Sequence, residues 1–260
     1  MKPAPLPPPP AALVARFKLA PFYRQWLDAG GLPVVASEKV SPYALFEARF
    51  LIDRMLEKRP DVRAELIRAG VRVAILGVNE RTTDIPEHAD LTPKDYWDRR
   101  ARGLGATKWR PAISGAEENL LQFPGDPYAG ESIFLHEFSH AVDEMGLRII
   151  QPGFEARLKE CFESARREGR WKDTYAITNV SEYWAEAVQS YLDCNQPKIN
   201  ASHNGVFSRE RLRAHDPEVL RLIEESLKTA WRWTPLEKRP SRERKHLRGY
   251  DPKTAPTFRW

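Results

Sequence analysis

The stretch IFLHEFSHAVD, residues 133–143, constrains the fold more than any other part of the chain. Ile133, Phe134, Leu135, Phe138, Ala141 and Val142 leave little of a helical circumference polar, so a helix here must be largely buried. Set into that apolar surface, His136 and His140 lie one turn apart on the same face, with Glu137 beside the first. Buried imidazoles and a buried carboxylate need partners, and a metal ion supplies one. Two imidazole nitrogens converging from one helix face suit two of the four tetrahedral positions of Zn²⁺. Glu137 is then placed to act on a water, which is the H-E-x-x-H logic of metal-assisted hydrolysis.

A catalytic site of this kind needs a third protein ligand and an open fourth position. A closely following third histidine would require glycine where Asp143 stands and histidine where Gly146 stands, so that pattern is excluded. Downstream, DTYAITNVSEYWAEAVQSYLD (173–193) reads as a helix with Ser181 as its cap and with Glu182 and Glu186 four apart on one face. Asp143, one turn beyond His140, offers a rival oxygen ligand or a supporting carboxylate. His88, His203, His215 and His246 remain as other candidate ligands, none at i+4 spacing to another histidine.

HEFSHAVD followed by SEYWAEA resembles the glutamate zincins, and Tyr175, seven residues before Glu182, narrows the resemblance. The combination is similar to the anthrax lethal factor catalytic domain and the related Pro-Pro endopeptidases over roughly residues 130–192. That resemblance implies a zincin-like α+β fold, with a small mixed sheet over an active-site helix and a mainly helical C-terminal half. It implies Zn²⁺ held by His136, His140 and Glu182, with Glu186 orienting one of the two histidines. It also implies Glu137 as general base, Tyr175 as a stabiliser of the oxyanion, and a peptide or protein substrate. The alternative is a zinc scaffold that binds peptides without cleaving them. In zincins the substrate lies extended along an edge strand before the active helix, and ENLLQF (118–123) is the candidate for that strand. YWDRRARGLGATKW (96–109) and EENLLQFPGDPYAGE (117–131) are similar to bacterial and fungal metallopeptidases of undefined role.

The rest of the chain agrees with one soluble globular body. At 260 residues and 42% hydrophobic it can bury one substantial core. GGLPVVASEKV (30–40) reads as a turn into a strand, SPYALFEARFLIDRMLEKRP (41–60) as a helix, DVRAELIRAG (61–70) as a second, and VRVAILGV (71–78) as a buried strand. Residues 80–130 read as a long ordered loop region, and helices follow over 131–145, 154–168, 181–193 and 216–231. Mixed elements first and helices later indicate α+β. The expected organisation is a flexible proline-rich leader over 1–12, a single domain over 13–235 and a basic tail over 236–260.

Charge is concentrated at the end: residues 231–260 hold nine Lys/Arg against three Asp/Glu, while the whole chain is only +5. The basic run EKRPSRERKHLRGY (237–250) is expected to be a solvated tail over the domain, with polyanion binding as the alternative and nucleic acid not expected. No run of 18 apolar residues exists, so no membrane span is expected. The start fits either a mature secreted chain, slightly favoured, or a cytoplasmic N-terminus, and a monomer is expected. Cys161 and Cys194 exclude a cysteine-rich zinc module and leave one disulfide or two thiols open.

Overall fold

The computed structural model describes residues 5–259; residues 1–4 of the expected leader and Trp260 lie outside the described residues. The chain runs α1 (Ala11–Phe17), β1 (Gln25–Ala29), β2 (Leu32–Ala36), α2 (Pro42–Met55), α3 (Pro60–Arg68), β3 (Arg72–Leu76), α4 (Lys94–Arg100), β4 (Gly103–Leu104), β5 (Ala112–Ala116) and α5 (Glu117–Leu120). It continues through α6 (Ile133–Val142), a π turn (Asp143–Leu147), α7 (Arg148–Ile150), α8 (Phe154–Arg167), α9 (Val180–Tyr191), α10 (Arg209–His215) and α11 (Pro217–Leu227).

The described strands form one mixed sheet in the order β1-β2-β3-β5-β4. β1 and β2 are an antiparallel hairpin whose register pairs Ala29 with Leu32, leaving Gly30 and Gly31 at the turn with φ of 64° and 96°. Positive φ at both central residues is the primed turn that matches strand twist, and glycine adopts it without Cβ strain. β2, β3 and β5 are parallel neighbours, and β4 closes the far edge antiparallel to β5.

The central strands are buried on both faces, as parallel strands covered from both sides must be. Side chains alternate accordingly. Val34, Val73, Ile75 and Ile113 join the main core with Leu45, Leu51 and Ile52 of α2 and Phe134, Leu135 and Phe138 of α6. Val35, Ala74, Leu76 and Ala116 face the other way and are covered by Phe17, Leu19, Tyr23 and Ile85. The α+β class, the small mixed sheet over a central helix and the helical C-terminal half are as the sequence implies.

Two local readings are corrected, and the alternative left open for the cysteines is decided. ENLLQF is not a strand: Glu117–Leu120 is the short helix α5. Its consecutive polar side chains all turn inward, which an alternating strand cannot do. Glu117 accepts the Ser41 and Val78 amides at 2.8 Å each, Glu118 pairs with buried Arg102, and Asn119 Oδ1 accepts the Ile133 amide at 2.9 Å. α9 is capped by Asn179, whose side chain accepts from the Glu182 amide, and not by Ser181, which donates to Glu144 at 2.9 Å. Cys161 and Cys194 are both free thiols.

The segments at either end of the described chain lie against the body. The Trp26 amide donates to Pro7 at 3.0 Å, and α1 starts at Ala11, inside the segment expected to be flexible. In the basic tail, Leu236, Leu247 and Phe258 are buried, and Arg239 makes a two-pronged ion pair with Glu47. No helix among the described residues is long and apolar enough to cross a membrane.

Candidate metal centre

α6 begins where Ser132 accepts the Leu135 amide, and it packs its apolar circumference against β5, β4 and α9. That places His136 and His140 toward α9, 5% and 9% exposed. α9 arrives from the other side with Glu182 in its first turn. Glu182 Oε2 lies 3.1 Å from His136 Nε2 and 3.5 Å from His140 Nε2, and the two Nε2 atoms are 3.2 Å apart. His136, His140 and Glu182 thus form a group that could hold a metal ion, their donor atoms lying within 4.8 Å of one another.

Electrostatics favour positive charge at that point. Burial alone would lower the His136 pKa, but Glu182, Glu137 and Glu186 outweigh it and hold it at about 10. Burial likewise works to raise the Glu182 carboxyl, and the two imidazoles overcome it and bring it far below the ordinary carboxylate range. Two imidazole nitrogens facing each other across a carboxylate are what a shared cation would bridge.

The group opens on a cleft of about 510 Å³ that Glu137, Tyr175 and Arg100 also line. Glu137 makes no side-chain hydrogen bond or ion pair among the described residues, and burial raises its pKa against the pull of His136 and His140. It is a carboxylate free to take a proton. Tyr175 sits in a 3-10 turn before α9, its amide donating to Ser202 at 2.8 Å and its ring 6.4 Å from that of His136. Burial raises its hydroxyl pKa, and the Arg100 guanidinium facing it acts in the opposite sense.

No family model matches the chain. No curated protein matches it. Among solved structures, the Pro-Pro endopeptidase PPEP-2 from Paenibacillus alvei is similar, at 17% sequence identity and a TM-score of 0.47, over 74% of this chain and 96% of that chain.

The position beside His136 Nδ1, given to Glu186 by resemblance, is held by Gln189 at 2.8 Å; the Glu186 carboxylate stands 3.8 Å away. Glu186 instead accepts from Asn195 at 2.9 Å and lies 3.8 Å from His203 Nε2, spanning the ground between two imidazoles. Gln189 follows Glu182 by seven residues, two helical turns, so the shared face was readable even though an amide gave no reason to look there.

The other candidate ligands are engaged elsewhere. Asp143 is fully buried and gripped by Arg148 at 2.6 and 2.8 Å, which corrects its reading as a rival ligand. His88 meets Ser114, His215 accepts the Trp171 amide, and His246 meets Glu47. His203 lines the cleft without joining the donor group.

Two glycines bring the edge strand onto the site. A Cβ on Gly103 would stand 3.1 Å from Glu137 Cγ, and one on Gly105 would stand 2.9 Å from His140 Cβ. No larger residue lets β4 lie so close to α6, and nothing in the sequence around GLG marked it as a strand.

Proposed function

We propose that this chain is a zinc-dependent endopeptidase. The observation that carries the proposal is the shape of the donor triangle. Tetrahedral zinc with ligands at about 2.0–2.2 Å needs donor atoms roughly 3.3–3.6 Å apart, and the edges here are 3.1, 3.2 and 3.5 Å. Two imidazole nitrogens and one carboxylate oxygen are also the donor set of hydrolytic zinc sites. When bound, zinc supplies Lewis acidity, polarising a carbonyl and acidifying water.

The protein groups do the rest. Glu137 accepts a proton from the attacking water and passes it to the leaving amine as the peptide bond breaks. The Tyr175 hydroxyl, lining the same cleft as Glu137, donates to the oxyanion that develops on the carbonyl oxygen. Gln189 fixes the His136 ring, and Glu186 with Asn195 supports the floor beneath it. An extended peptide pairs along the β4 edge at Gly103–Leu104, in place of 118–123, because β4 closes the sheet and lines the cleft.

The test joins metal content to turnover. The purified chain should hold one equivalent of zinc and cleave members of a diverse peptide library, and chelation should stop cleavage until zinc is restored. Glu137→Gln should keep the zinc and lose about 10²–10⁴ in kcat, and Tyr175→Phe about 10²–10³. One equivalent of zinc with no turnover by the wild type would instead support the non-hydrolytic peptide-binding scaffold.

A further inference from the structure

The basic run 237–250, which the proposed reaction does not use, folds into a fixed structure of two 3-10 turns, Ser241–Glu243 and Lys245–Leu247. It is pinned from within. Arg239 donates to both oxygens of Glu47 at 2.7 and 2.9 Å, and His246 Nε2 meets the same carboxylate at 2.7 Å while its ring stacks on Phe50 at 4.4 Å. Leu247 is buried, and the Tyr250 hydroxyl donates to Leu121 at 3.0 Å. A solvated tail has no use for such fastenings, since ordering each residue costs backbone entropy.

What the fastenings hold in place is a cavity of about 830 Å³ between this run and the end of α5. Its apolar lining comes from Leu236, Leu247 and Tyr250, and its cations are Arg244, Lys245 and Arg248, against Glu237 alone on the acidic side. The side chains of these three cations make no hydrogen bond or ion pair among the described residues, whereas Arg239 on the same run is paired with Glu47 through Nη1 and donates from Nε to the Thr234 carbonyl. Three unpaired cations over an apolar wall, on a backbone already ordered, form a site whose backbone ordering cost is met before a ligand arrives, leaving only the exposed side chains to settle.

We propose that this cavity binds a small organic anion, its apolar body against Leu236, Leu247 and Tyr250 and its phosphate, sulfate or carboxylate head among Arg244, Lys245 and Arg248. The volume falls within the range of about 300–1,000 Å³ typical of small-molecule sites. A nucleic acid would require an extended strip of phosphate contacts in place of three cations gathered at the rim of one open cavity. The site shares no residue with the metal cleft, so it stands or falls independently of the peptidase proposal.

The full chain is titrated with anilinonaphthalene sulfonate, an aromatic anion that fluoresces when bound, and then with competitors. Octyl phosphate should displace the probe, and octyl glucoside and inorganic phosphate should each compete about tenfold or more less well, since each lacks one half of the recognised chemistry. The triple variant R244Q/K245Q/R248Q should weaken the probe about tenfold or more with unfolding unchanged. A triple that removes the same charge outside the lining, R242Q/K253Q/R259Q, should leave binding as it was. Equal weakening by both triples would show only general attraction to a basic surface and overturn the site. So would probe binding that neither triple alters, or short duplex RNA or phosphatidylglycerol vesicles displacing the probe better than octyl phosphate.

Discussion

Gln189 settles which nitrogen of His136 is free for a ligand. Its amide NH₂ donates to the carbonyl of Ser132 at 3.2 Å, so its oxygen is the atom that faces His136 Nδ1 at 2.8 Å. Nδ1 must then keep its proton, so the proton a metal would displace is the one on Nε2, the nitrogen that faces Glu182 and His140. Replacing Gln189 with Leu keeps the bulk and removes the acceptor, and zinc affinity should fall about 10–100-fold. Competition with a chromophoric chelator measures this, and unchanged affinity would refute the orienting role. At this scale the sequence showed the donors and hid their support. His136, Glu137, His140 and Glu182 carry metal chemistry in their residue types and spacing, whereas Gln189, Asn195 and Arg100 are common polar residues whose partners only the fold supplies.

At the scale of elements, legibility followed the length and regularity of the apolar pattern. α2, α3, α6 and α9 show apolar spacing at the helical period, β2 and β3 are short apolar β-branched runs bounded by turn residues, and all stand where the sequence places them. β4 is two residues between glycines and offers no period to read, while the apolar look of 118–123 concealed inward-facing Glu118 and Asn119. β4 nevertheless forms one wall of the site, held by the absence of side chains at Gly103 and Gly105. Gly105→Ala would drive a Cβ to 2.9 Å from His140 Cβ and 3.1 Å from its Cδ2. Either the imidazole or the strand must move, an overpacking that costs about 1–3 kcal/mol. The expected outcome is a loss of zinc affinity together with kcat/KM. A variant with wild-type affinity and turnover would show that the strand yields freely and does not help fix His140.

Across the whole molecule, the order of elements revealed the α+β class, but long-range pairings were out of reach. Glu47 meets Arg239 across 192 residues, and nothing local in a helix reading FEARF predicts a buried carboxylate awaiting a tail. His88 is a second such case, and one that couples stability to pH. It is wholly buried, with Nε2 3.0 Å from Ser114 Oγ and Nδ1 without a partner among the described residues. Burial, reinforced by Arg110 and opposed by Glu87 and Asp90, lowers its pKa from 6.5 to about 4. Above pH 6.5 neither the folded nor the unfolded chain binds this proton, so His88 adds no pH dependence there. As pH falls from 6.5 toward about 4, the unfolded chain takes up the proton first and stability declines, by on the order of 3 kcal/mol at about 1.36 kcal/mol per unit. Glu117 works in the opposite sense: burial raises its pKa from 4.5 to about 6, so across that interval the folded chain holds the extra proton and gains stability as pH falls. The two contributions partly cancel in the wild type, and the His88 part is isolated by comparison with His88→Gln. Urea unfolding from about pH 7 to about pH 4 should show the wild type losing stability relative to the variant as the solution acidifies. A difference that stays constant across that range would mean His88 is protonated alike in both states.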